Sequence, residues 1–501
     1  MSGPGPPRKG TEPVAPPRPP IIGQTVALFP SHLPSSLRLD VAIVGAGAAG
    51  LATGIFARRA NRRLRVAVLD GAARPGAKIL VSGGSRCNVT NTVVTGADFN
   101  GGRPAVVRRI LRAFPVDETV AFFREIGVPL KEEPGGKLFP VSNQSRDVLA
   151  ALLSELARVG AELRAGHRVS GVRRAGDRFE VTTSRGTLTA AAVVLAAGGQ
   201  SLPKTGSDGW GYDAARALGH TIVPTTPALV PLVLAPNRPG GIHAEISGVS
   251  LPARIDVRVD GAIAARIVGA MLWTHFGISG PAALDASRHW LRARLEGRDT
   301  RLTASFRPDE TFESLEHAWI DLATGRPRLT VQTALSRELP GSMASAMLEH
   351  LSIAAGTVLA ELAREDRRRL VRALVEWPLP VTDSRGYRYA EVTAGGVPLS
   401  EINPASMASR VCPGLYLVGE ILDADGRMGG FNFQWAWATA RVAGSALGAP
   451  LSGPGHQGPA TRRTHAARTA AGGRRTGARR MPPGPPRGRA SAPRPRGRAT
   501  A

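Results

Sequence analysis

A glycine-rich turn between two apolar segments is the part of this chain best suited to chemistry. The sequence G-A-G-A-A-G at residues 45–50 follows an apolar run and leads into a helix-favouring stretch that reaches residue 59. Gly45 permits a tight turn, Gly47 lets the backbone approach a pyrophosphate, and Gly50 allows the helix to pack on the strand. The first N–H groups of that helix present partial positive charge to phosphates.

A carboxylate completes this pattern. A second apolar run, residues 66–69, ends in Asp70, 20 positions beyond Gly50, where the side chain can accept a hydrogen bond from a ribose hydroxyl. In a chain with 59 glycines a lone G-x-G-x-x-G is weak evidence, and a glycine-rich loop without a ligand is the alternative. The strand–helix–strand order with an acid at its end favours a dinucleotide site. We expect the following residues to bind it: Gly45, Ala46, Gly47, Ala48, Ala49, Gly50 and Asp70.

Four other segments combine glycine with polar or charged side chains. They are residues 76–91, 195–199, 389–397 and 419–436. The first is a dense cluster of hydroxyl, amide and cationic groups that can wrap a phosphate or a polar ring, and we predict a loop over 71–91. Small residues at a strand end let a ligand approach closely, although a plain strand end and a tight turn explain the second and third segments equally well.

The fourth segment places an acid after a strand and a double glycine before an apolar helix. The N-terminus of that helix could face a developing negative charge. For Asp423 and Asp425 within it, a solvated loop or a weak cation site is the alternative. No cluster of residues suggests a dedicated metal site, and the two cysteines cannot form a cysteine-based zinc site alone.

The elements around these segments predict an α/β fold with a split nucleotide domain. A β-α-β pattern over 41–70 implies a parallel sheet. Further helices are predicted near 103–114, 117–126 and 145–159. Short strands are predicted around 162–174, 178–183 and 187–190, and a buried strand that ends in glycines at 193–199. Residues 221–306 are rich in Val, Ile, Thr and Pro and predict a small antiparallel barrel or sandwich. Residues 308–377 show helical spacing, with helices expected at 346–351, 355–362 and 367–375.

We therefore divide the chain into six parts. They are a disordered Pro-rich flank (1–36), a first nucleotide-binding part (37–220), an inserted β-barrel-like subdomain (221–307), an inserted helical subdomain (308–380), a second nucleotide-binding part (381–450) and a disordered Arg/Pro-rich tail (451–501).

Composition limits the class of protein. The hydrophobic fraction is 43% and no run of 18 apolar residues occurs, so we expect a globular protein without a membrane span. The Pro-rich start lacks the apolar region of a secretory signal. Two cysteines fit a reducing cytoplasm and exclude a disulfide framework.

The net charge of +25 is unevenly distributed, because residues 451–501 contain 12 arginines and no acid while residues 37–450 carry +11. Basic tails can contact nucleic acid weakly. A disordered tail that reflects biased coding is the interpretation we favour, since the chain has five lysines against 59 arginines.

Taken together, the segments resemble the BaiN-type family of NAD(P)/FAD-dependent oxidoreductases, also called aminoacetone-oxidase-like flavoproteins. The similarity is carried by the fingerprint at 45–50, by residues 78–91, 203–212 and 274–281, and by residues 419–436. It spans about residues 38–448. Two positions depart from the family pattern: Asp70 stands where Glu is usual, and Ser85 where Gly or Asn is commoner.

The resemblance implies FAD bound by a Rossmann-like domain of the two-dinucleotide-binding type, interrupted by an inserted β-barrel and a small helical subdomain. It implies cofactor contacts by the following residues in addition to the fingerprint and Asp70: Lys78, Ser82, Gly83, Arg86, Cys87, Asn88, Ala197, Gly198, Gly419, Glu420, Gly430, Asn432, Phe433 and Gln434. Of these, Gly419 and Glu420 would approach the ribityl-pyrophosphate. Gly430, Asn432, Phe433 and Gln434 would lie near the flavin ring.

Catalytic residues are not identified by the resemblance, because flavin carries the redox chemistry itself. Cys87 is a weak candidate, since neighbouring Arg86 could lower its thiol pKa; a packed, inert cysteine is the favoured alternative. His275 is a second weak candidate, and a structural histidine is more common. A second G-x-G-x-x-G in strand context is missing, so NAD(P)H is expected, if used, as a transient co-substrate.

The leading hypothesis is a cytoplasmic FAD-dependent oxidoreductase that transfers a hydride between flavin and a small organic substrate. The alternatives are an RNA-directed flavoprotein and a flavin-binding protein without turnover. Clustered arginines with interleaved aromatic residues would support the RNA alternative, and basic runs such as 367–369 have no adjacent aromatic residue. The substrate and the oligomeric state are not determined at this level.

Overall fold

The structure, a computed structural model, describes residues 38–236 and 241–449. The predicted flanks, residues 1–36 and 451–501, lie outside the described residues. The strands are, in chain order, β1 Arg38–Val44, β2 Val66–Leu69, β3 Thr90–Asn91, β4 Phe99–Gly101, β5 Leu130–Glu133, β6 Lys137–Pro140, β7 Glu162–Arg164, β8 Val169–Ala175, β9 Arg178–Thr183, β10 Gly186–Leu195, β11 Val223–Ala228, β12 Leu232–Leu234, β13 Ser250–Val259, β14 Ala262–Thr274, β15 Gly277–Ser279, β16 Thr300–Ser305, β17 Trp377–Leu379, β18 Val381–Ser384, β19 Val392–Gly396, β20 Leu415–Leu417 and β21 Ala424–Gly426. The α-helices are α1 Ala48–Ala60, α2 Ala77–Ser85, α3 Pro104–Arg112, α4 Val116–Glu125, α5 Ser145–Arg158, α6 Trp210–Ala217, α7 Gly280–Leu295, α8 Phe312–Gly325, α9 Val331–Leu335, α10 Gly341–His350, α11 Arg364–Val375 and α12 Phe431–Gly448.

The predicted β-α-β unit forms the centre of a sheet. Its strand order is β7-β2-β1-β10-β9-β8, with β20 also paired to β10. Strands β1, β2, β7 and β20 run parallel to their neighbours. All four residues of β2 and the last four of β1 are buried, as expected for parallel strands covered on both faces. The Rossmann-type α/β fold predicted from the sequence is confirmed.

Strand β10 is continuous and ends at Leu195, whereas the sequence predicted two strands, at 187–190 and 193–199. Its first half pairs antiparallel with β9 and its second half pairs parallel with β20, while β1 runs alongside most of its length. The alanines at 190–192 look like a break in the apolar alternation, but pairing with neighbours on both sides keeps them extended.

An antiparallel sheet forms the β part of the insertion. Its order is β17-β16-β13-β14-β15-β12-β18. The two edge strands, β17 and β18, are separated only by Pro380, so the sheet curls back on itself like a barrel. The sheet also extends to Ser384, whereas the sequence analysis predicted that the insertion ends at residue 380. Helix α7 was not predicted; its 16 residues lie within the segment expected to be entirely β.

The helical part of the insertion contains α8 to α11. The helix predicted at 355–362 is wrong: the structure has only a short 3₁₀ turn, Leu359–Glu361. Gly356 disfavours a helix start here, and Thr357 N–H instead donates to the Ala354 carbonyl in a tight turn, at 3.0 Å.

The loop predicted over residues 71–91 contains a short helix, α2, and the strand β3. Helix α2 is interrupted because Gly83 and Gly84 have φ of +56° and +67°. Ser85 and Cys87 also adopt positive φ, at +64° and +61°, which is costly for residues with a side chain. The polar cluster is thus a constrained backbone rather than a free loop.

Helix α12 crosses the sheet next to α1. A methyl group at Gly444 would lie 2.6 Å from the Phe56 Cβ, so glycine allows the two helices to approach closely. Helix α12 holds Trp435 and Trp437, both fully buried. None of the described helices is long and apolar enough to cross a membrane.

Candidate functional site

The turn between β1 and α1 has the geometry that its glycines predict. Gly45 has a φ of +106°, and a methyl group on Gly45 or Gly50 would collide with a backbone carbonyl. At Gly47, by contrast, an added methyl group would meet nothing within 4 Å. Gly47 is the N-cap of α1 and no side chain caps the helix. The first N–H groups of α1 therefore border open space.

Asp70 holds this turn through its carboxylate. One oxygen accepts the N–H of Ala46 at 2.7 Å, and the other accepts the N–H of Ala72 at 2.8 Å. An ionised carboxylate has about four acceptor positions, so two backbone bonds leave capacity for a hydroxyl ligand. The contact of Asp70 with a ligand hydroxyl stays a prediction. The two hydrogen bonds by which Asp70 holds the turn were not predicted from the sequence.

Three predicted segments meet at the carboxyl edge of the sheet. The Ala196 N–H donates to the Val44 carbonyl at 2.9 Å, and the Val418 N–H donates to the Leu195 carbonyl at 3.1 Å. A methyl group on Gly419 would lie 2.9 Å from the Ala49 Cβ. The fold thus brings the fingerprint together with the segments that contain Ala197, Gly198, Gly419 and Glu420, at the edge where α/β proteins bind ligands.

Lys78 and Glu420, both predicted to contact the cofactor, form an ion pair with 2.6 Å between Nζ and Oε2. Ser201 Oγ lies 2.6 Å from the Lys78 Nζ and 2.8 Å from the Glu420 Oε1. The Thr393 N–H also donates to that carboxylate at 3.1 Å. Sequence reasoning missed Ser201 and Thr393, although each lies within two residues of a double glycine that it had singled out.

The interrupted part of α2 contains Ser82, which is half-buried, and Gly83, which is exposed. Close by in sequence, Arg86 pairs with Glu133 at 2.8 Å and stacks over the Phe139 ring at 4.1 Å. Arg86 is therefore engaged with protein groups.

Cys87 is fully buried, and burial raises the pKa of its thiol to about 12. The hypothesis that Arg86 lowers this pKa is wrong, because loss of hydration outweighs any stabilisation of the thiolate. Since the thiolate is the reactive form, the structure supports the packed, inert cysteine.

The start of α12 contains a buried polar atom without a partner. Gly430, the N-cap, has a φ of +95° and no side chain caps the helix. The Asn88 Oδ1 is buried and accepts no hydrogen bond, and it would lie 2.9 Å from a methyl group on Gly430. An unpaired buried carbonyl beside free helix N–H groups is a place that a polar ligand would satisfy.

Asn432 and Gln434, expected near a flavin ring, use their amides within the protein. Asn432 exchanges two bonds of 2.8 Å with the backbone of Gly426. Gln434 accepts from the Thr90 hydroxyl at 2.7 Å and donates to the Phe114 carbonyl at 2.8 Å. Their amides therefore hold the backbone around the N-terminus of α12, which we call the entrance of this helix. Phe433 stacks on a buried tryptophan of the same helix, with 5.6 Å between the ring centres.

Two acids that the sequence analysis did not single out, Asp285 and Glu391, lie near this entrance. Asp285 on α7 accepts the Met428 N–H at 2.7 Å, and burial raises its pKa to about 6. Burial also raises the pKa of Glu391, with Asp285 adding to the rise and Lys78 opposing it. The Glu391 residue is nevertheless exposed to solvent.

Asp425 is neither solvated nor a cation ligand, contrary to the alternatives considered from sequence. It is 1% exposed and forms a two-bond ion pair with Arg288 of α7, at 2.6 and 2.9 Å. Within the described residues, no group of three or more His, Cys, Asp or Glu side chains could hold a metal ion.

His275 lies exposed at the turn between β14 and β15, with its ring 5.1 Å from the Phe276 ring. Among the described residues it has no carboxylate partner that would support acid–base chemistry. Its catalytic role stays a weak prediction.

A Ser–His–Glu trio elsewhere has the hydrogen-bond order of a nucleophilic triad. The His220 ring lies 2.7 Å from the Glu401 Oε2 and 2.8 Å from the Ser409 Oγ. However, that hydroxyl also accepts the N–H groups of Val411 and Cys412, at 3.0 and 2.8 Å. The trio therefore fixes the loop before β20 against the end of α6.

Comparison with known proteins adds a family and several relatives. Residues 39–446 match the family described as HI0933-like protein Rossmann domain. The chain is 34% identical over 406 residues to a 3-dehydro-bile acid delta(4,6)-reductase of Clostridium scindens, covering 81% of this chain and 98% of the relative. It is 30% identical over 404 residues to a ribosomal RNA dihydrouridine synthase of Escherichia coli, covering 80% and 96%. A protein of the same name from Haemophilus influenzae is 31% identical over 402 residues, covering 79% and 96%.

Proposed function

The chain belongs to the HI0933-like Rossmann-domain family, and we propose that it is an FAD-dependent reductase of carbon–carbon double bonds conjugated to a carbonyl group. The family assignment makes it an enzyme of the flavin-dependent oxidoreductase class. The narrower aminoacetone-oxidase-like part of the resemblance stays a prediction, since none of these relatives carries that name.

The residues at the carboxyl edge fit FAD. The open side of Gly47 and the uncapped start of α1 suit a pyrophosphate, and Asp70 retains capacity for a ribose hydroxyl. The unpaired Asn88 Oδ1 beside the uncapped start of α12 suits the polar edge of the flavin ring. When bound, FAD supplies hydride transfer; the protein binds, orients and excludes water.

The substrate class follows from what the relatives' activities share. A delta(4,6)-reductase of a 3-dehydro bile acid and a dihydrouridine synthase both saturate a double bond conjugated to a carbonyl group. Such a reduction adds a hydride to one carbon and a proton to its neighbour. A steroid ketone and a pyrimidine base differ in shape but demand this same chemistry.

A proton source is therefore required, and we assign it to Asp285. This carboxyl lies on α7, is held by the Met428 N–H three residues before α12, and has a pKa near 6 because it is buried. A general acid works best when its pKa is close to the working pH. We further propose NADH or NADPH as the electron donor. Because the sequence offers no second dinucleotide fingerprint, this donor would bind transiently.

An absorbance spectrum of the purified chain tests the proposal. We expect flavin bands that bleach anaerobically after addition of NADH or NADPH and return when an α,β-unsaturated ketone is added. Cyclohexenone, a 3-oxo-4-ene steroid and uridine are suitable probes.

A colourless protein that cannot be reconstituted with FAD would overturn the cofactor assignment. A flavin that is reduced by the donor but reoxidised by none of these probes would overturn the proposed reaction while leaving FAD binding intact.

A further inference from the structure

Arg385 lies between two aromatic rings. Its guanidinium carbon is 4.4 Å from the centre of the Phe276 ring and 4.0 Å from the centre of the Tyr389 ring. We call Phe276, Arg385 and Tyr389 the stacking cluster. Phe276 lies more than 100 positions before Arg385 and Tyr389, so the arrangement of arginine between two aromatic rings exists only in the folded chain.

The stacking cluster is anchored but accessible. The Arg385 N–H donates to the Pro231 carbonyl at 2.9 Å, and the Tyr389 N–H donates to the Gly386 carbonyl at 3.0 Å. Tyr389 is nevertheless 51% exposed, a large fraction for an aromatic residue in a rigid loop. Since Arg385 covers one side of its ring, an exposed area remains for another planar group.

The segment that carries the stacking cluster packs against the candidate site. Tyr389 is two residues from Glu391, whose carbonyl accepts the Ser201 hydroxyl at 3.2 Å. The Tyr387 carbonyl accepts the Leu202 N–H at 2.9 Å. Because Ser201 also hydrogen-bonds Lys78 and Glu420, the stacking cluster and the ion pair of the candidate site are joined through one short segment.

The chemistry of the cluster selects its ligand. Exposed aromatic rings and guanidinium planes are the surfaces on which proteins stack unpaired bases. One exposed cation, Arg388, flanks the cluster. In the described residues no carboxylate pairs with Arg385 or Arg388, so their charge is available to phosphates.

We propose that the stacking cluster binds a base of single-stranded RNA and so presents a neighbouring uracil to the candidate site around Lys78 and Glu420. The identification of uracil rests on the proposed reductase function; the base-stacking surface rests on geometry alone. Arginines interleaved with aromatic residues would support the RNA-directed alternative. The sequence analysis found none at the basic runs, whereas the stacking cluster supplies them in the folded chain.

The test is binding of a fluorescein-labelled oligouridylate to the full-length chain, followed by fluorescence anisotropy at near-physiological salt. Stacking contributes about 1–3 kcal/mol per base, so we expect Tyr389→Ala to weaken binding at least about fivefold and Tyr389→Phe to retain it. Arg385→Ala should weaken binding more than Arg372→Ala, which removes the same charge from an exposed arginine that stacks on Phe312 in the helical part.

Equal affinity of the Tyr389→Ala variant and the unmodified chain would overturn the proposal, and so would equal losses in the Arg385→Ala and Arg372→Ala variants. Affinity for a 3-oxo-4-ene steroid that depends on Tyr389, without affinity for RNA, would identify a steroid site instead. Binding of RNA does not require reducible flavin, so a failure of the proposed reduction would be seen separately in the flavin spectrum.

Discussion

At the scale of single residues, Asp285 differs from an ordinary surface carboxylate because protein surrounds most of it. Asp285 receives one backbone hydrogen bond, which favours its ionised form, yet burial dominates and raises its pKa to about 6. The charged groups that act on Asp285 are Arg427, Lys137 and Glu391, all from other segments. A neighbouring His289 is neutral at physiological pH, because burial lowers its pKa to about 4.

Replacement of Asp285 by Asn should change how stability depends on pH. The folded-state pKa is above the ordinary value of 3.8, so ionisation opposes folding, and wild-type stability falls as pH rises from about 4 through about 6. Asn cannot ionise and can still accept the Met428 N–H. We expect the stability of Asp285→Asn relative to wild type to increase by about 2 kcal/mol between about pH 4.5 and 7.5.

Urea unfolding of the full-length chain at these two pH values measures this effect. Asp383→Asn, at an exposed aspartate of β18, is the matched control. A relative stability of Asp285→Asn that did not change with pH would show that Asp285 is not desolvated, and its assignment as proton source would lose its physical basis.

At the scale of elements, the site is built from helix starts that lack side-chain caps. Helices α1 and α12 both begin after a glycine, and neither receives a capping bond from a side chain. Among the described α-helices this is common, since only α8 and α9 receive a side-chain cap, from Thr311 and Thr330 respectively. Uncapped N–H groups at both ends of the candidate cofactor site are available to the ligand.

Gly47→Ala should separate cofactor binding from folding. The new methyl group meets no protein atom within 4 Å, and Gly47 has an ordinary extended conformation with φ of −82°. We therefore expect a loss of about 1 kcal/mol or less in the stability of the apoprotein, from the poorer N-cap, but at least a tenfold loss of FAD affinity, because the methyl group occupies the pyrophosphate approach.

FAD titration followed by flavin fluorescence measures this affinity. Gly341→Ala, at the start of α10, is the control, since its methyl group also meets open space. If Gly47→Ala bound FAD as tightly as Gly341→Ala, the pyrophosphate would not lie at the start of α1.

At the scale of the whole molecule, α7 connects the inserted sheet to the second nucleotide-binding part. Arg288 and Asp285 lie on the same face of α7, one turn apart, and bind Asp425 and the Met428 N–H respectively. Helix α7 therefore determines the position of the segment between β21 and α12, where the unpaired Asn88 oxygen and the Gly430 turn are found.

Removal of one partner of the buried Arg288–Asp425 pair should destabilise the fold more than removal of both. Arg288→Met leaves Asp425, which is 1% exposed, without a counter-charge, and such a change typically costs 3–5 kcal/mol. We expect the double variant Arg288→Met/Asp425→Leu to recover most of that loss. Denaturant unfolding of the two variants measures it, and equal stabilities would mean that the ion pair is not desolvated as the structure shows.

The candidate cofactor site could be predicted from sequence to the extent that its chemistry is local. The spacing of Gly45, Gly47 and Gly50 between a strand and a helix specifies a turn geometry within a few residues, and the structure reproduces it. The convergence of residues 195–199 and 419–420 on that turn also follows, because carboxyl ends of parallel strands share one edge of a sheet.

The assigned roles of Cys87, Asn432 and Gln434 were harder to predict, because each depends on what surrounds the side chain. The reactivity of Cys87 depends on burial, and the amide contacts of the other two depend on backbone atoms that their type and spacing do not reveal. Helix α7 was missed for a related reason: its small, buried residues show no clear helical periodicity next to the β-rich segments around it.

By itself, the sequence determined the dinucleotide fingerprint and the family, because each is a property of short segments read along the chain. Only the tertiary structure decided that Arg385 lies between Phe276 and Tyr389, and that Asp285 meets Met428. These contacts join residues that are more than 100 positions apart, with the exception of Arg385 and Tyr389. Their formation depends on how the sheets and α7 pack, which no local pattern specifies.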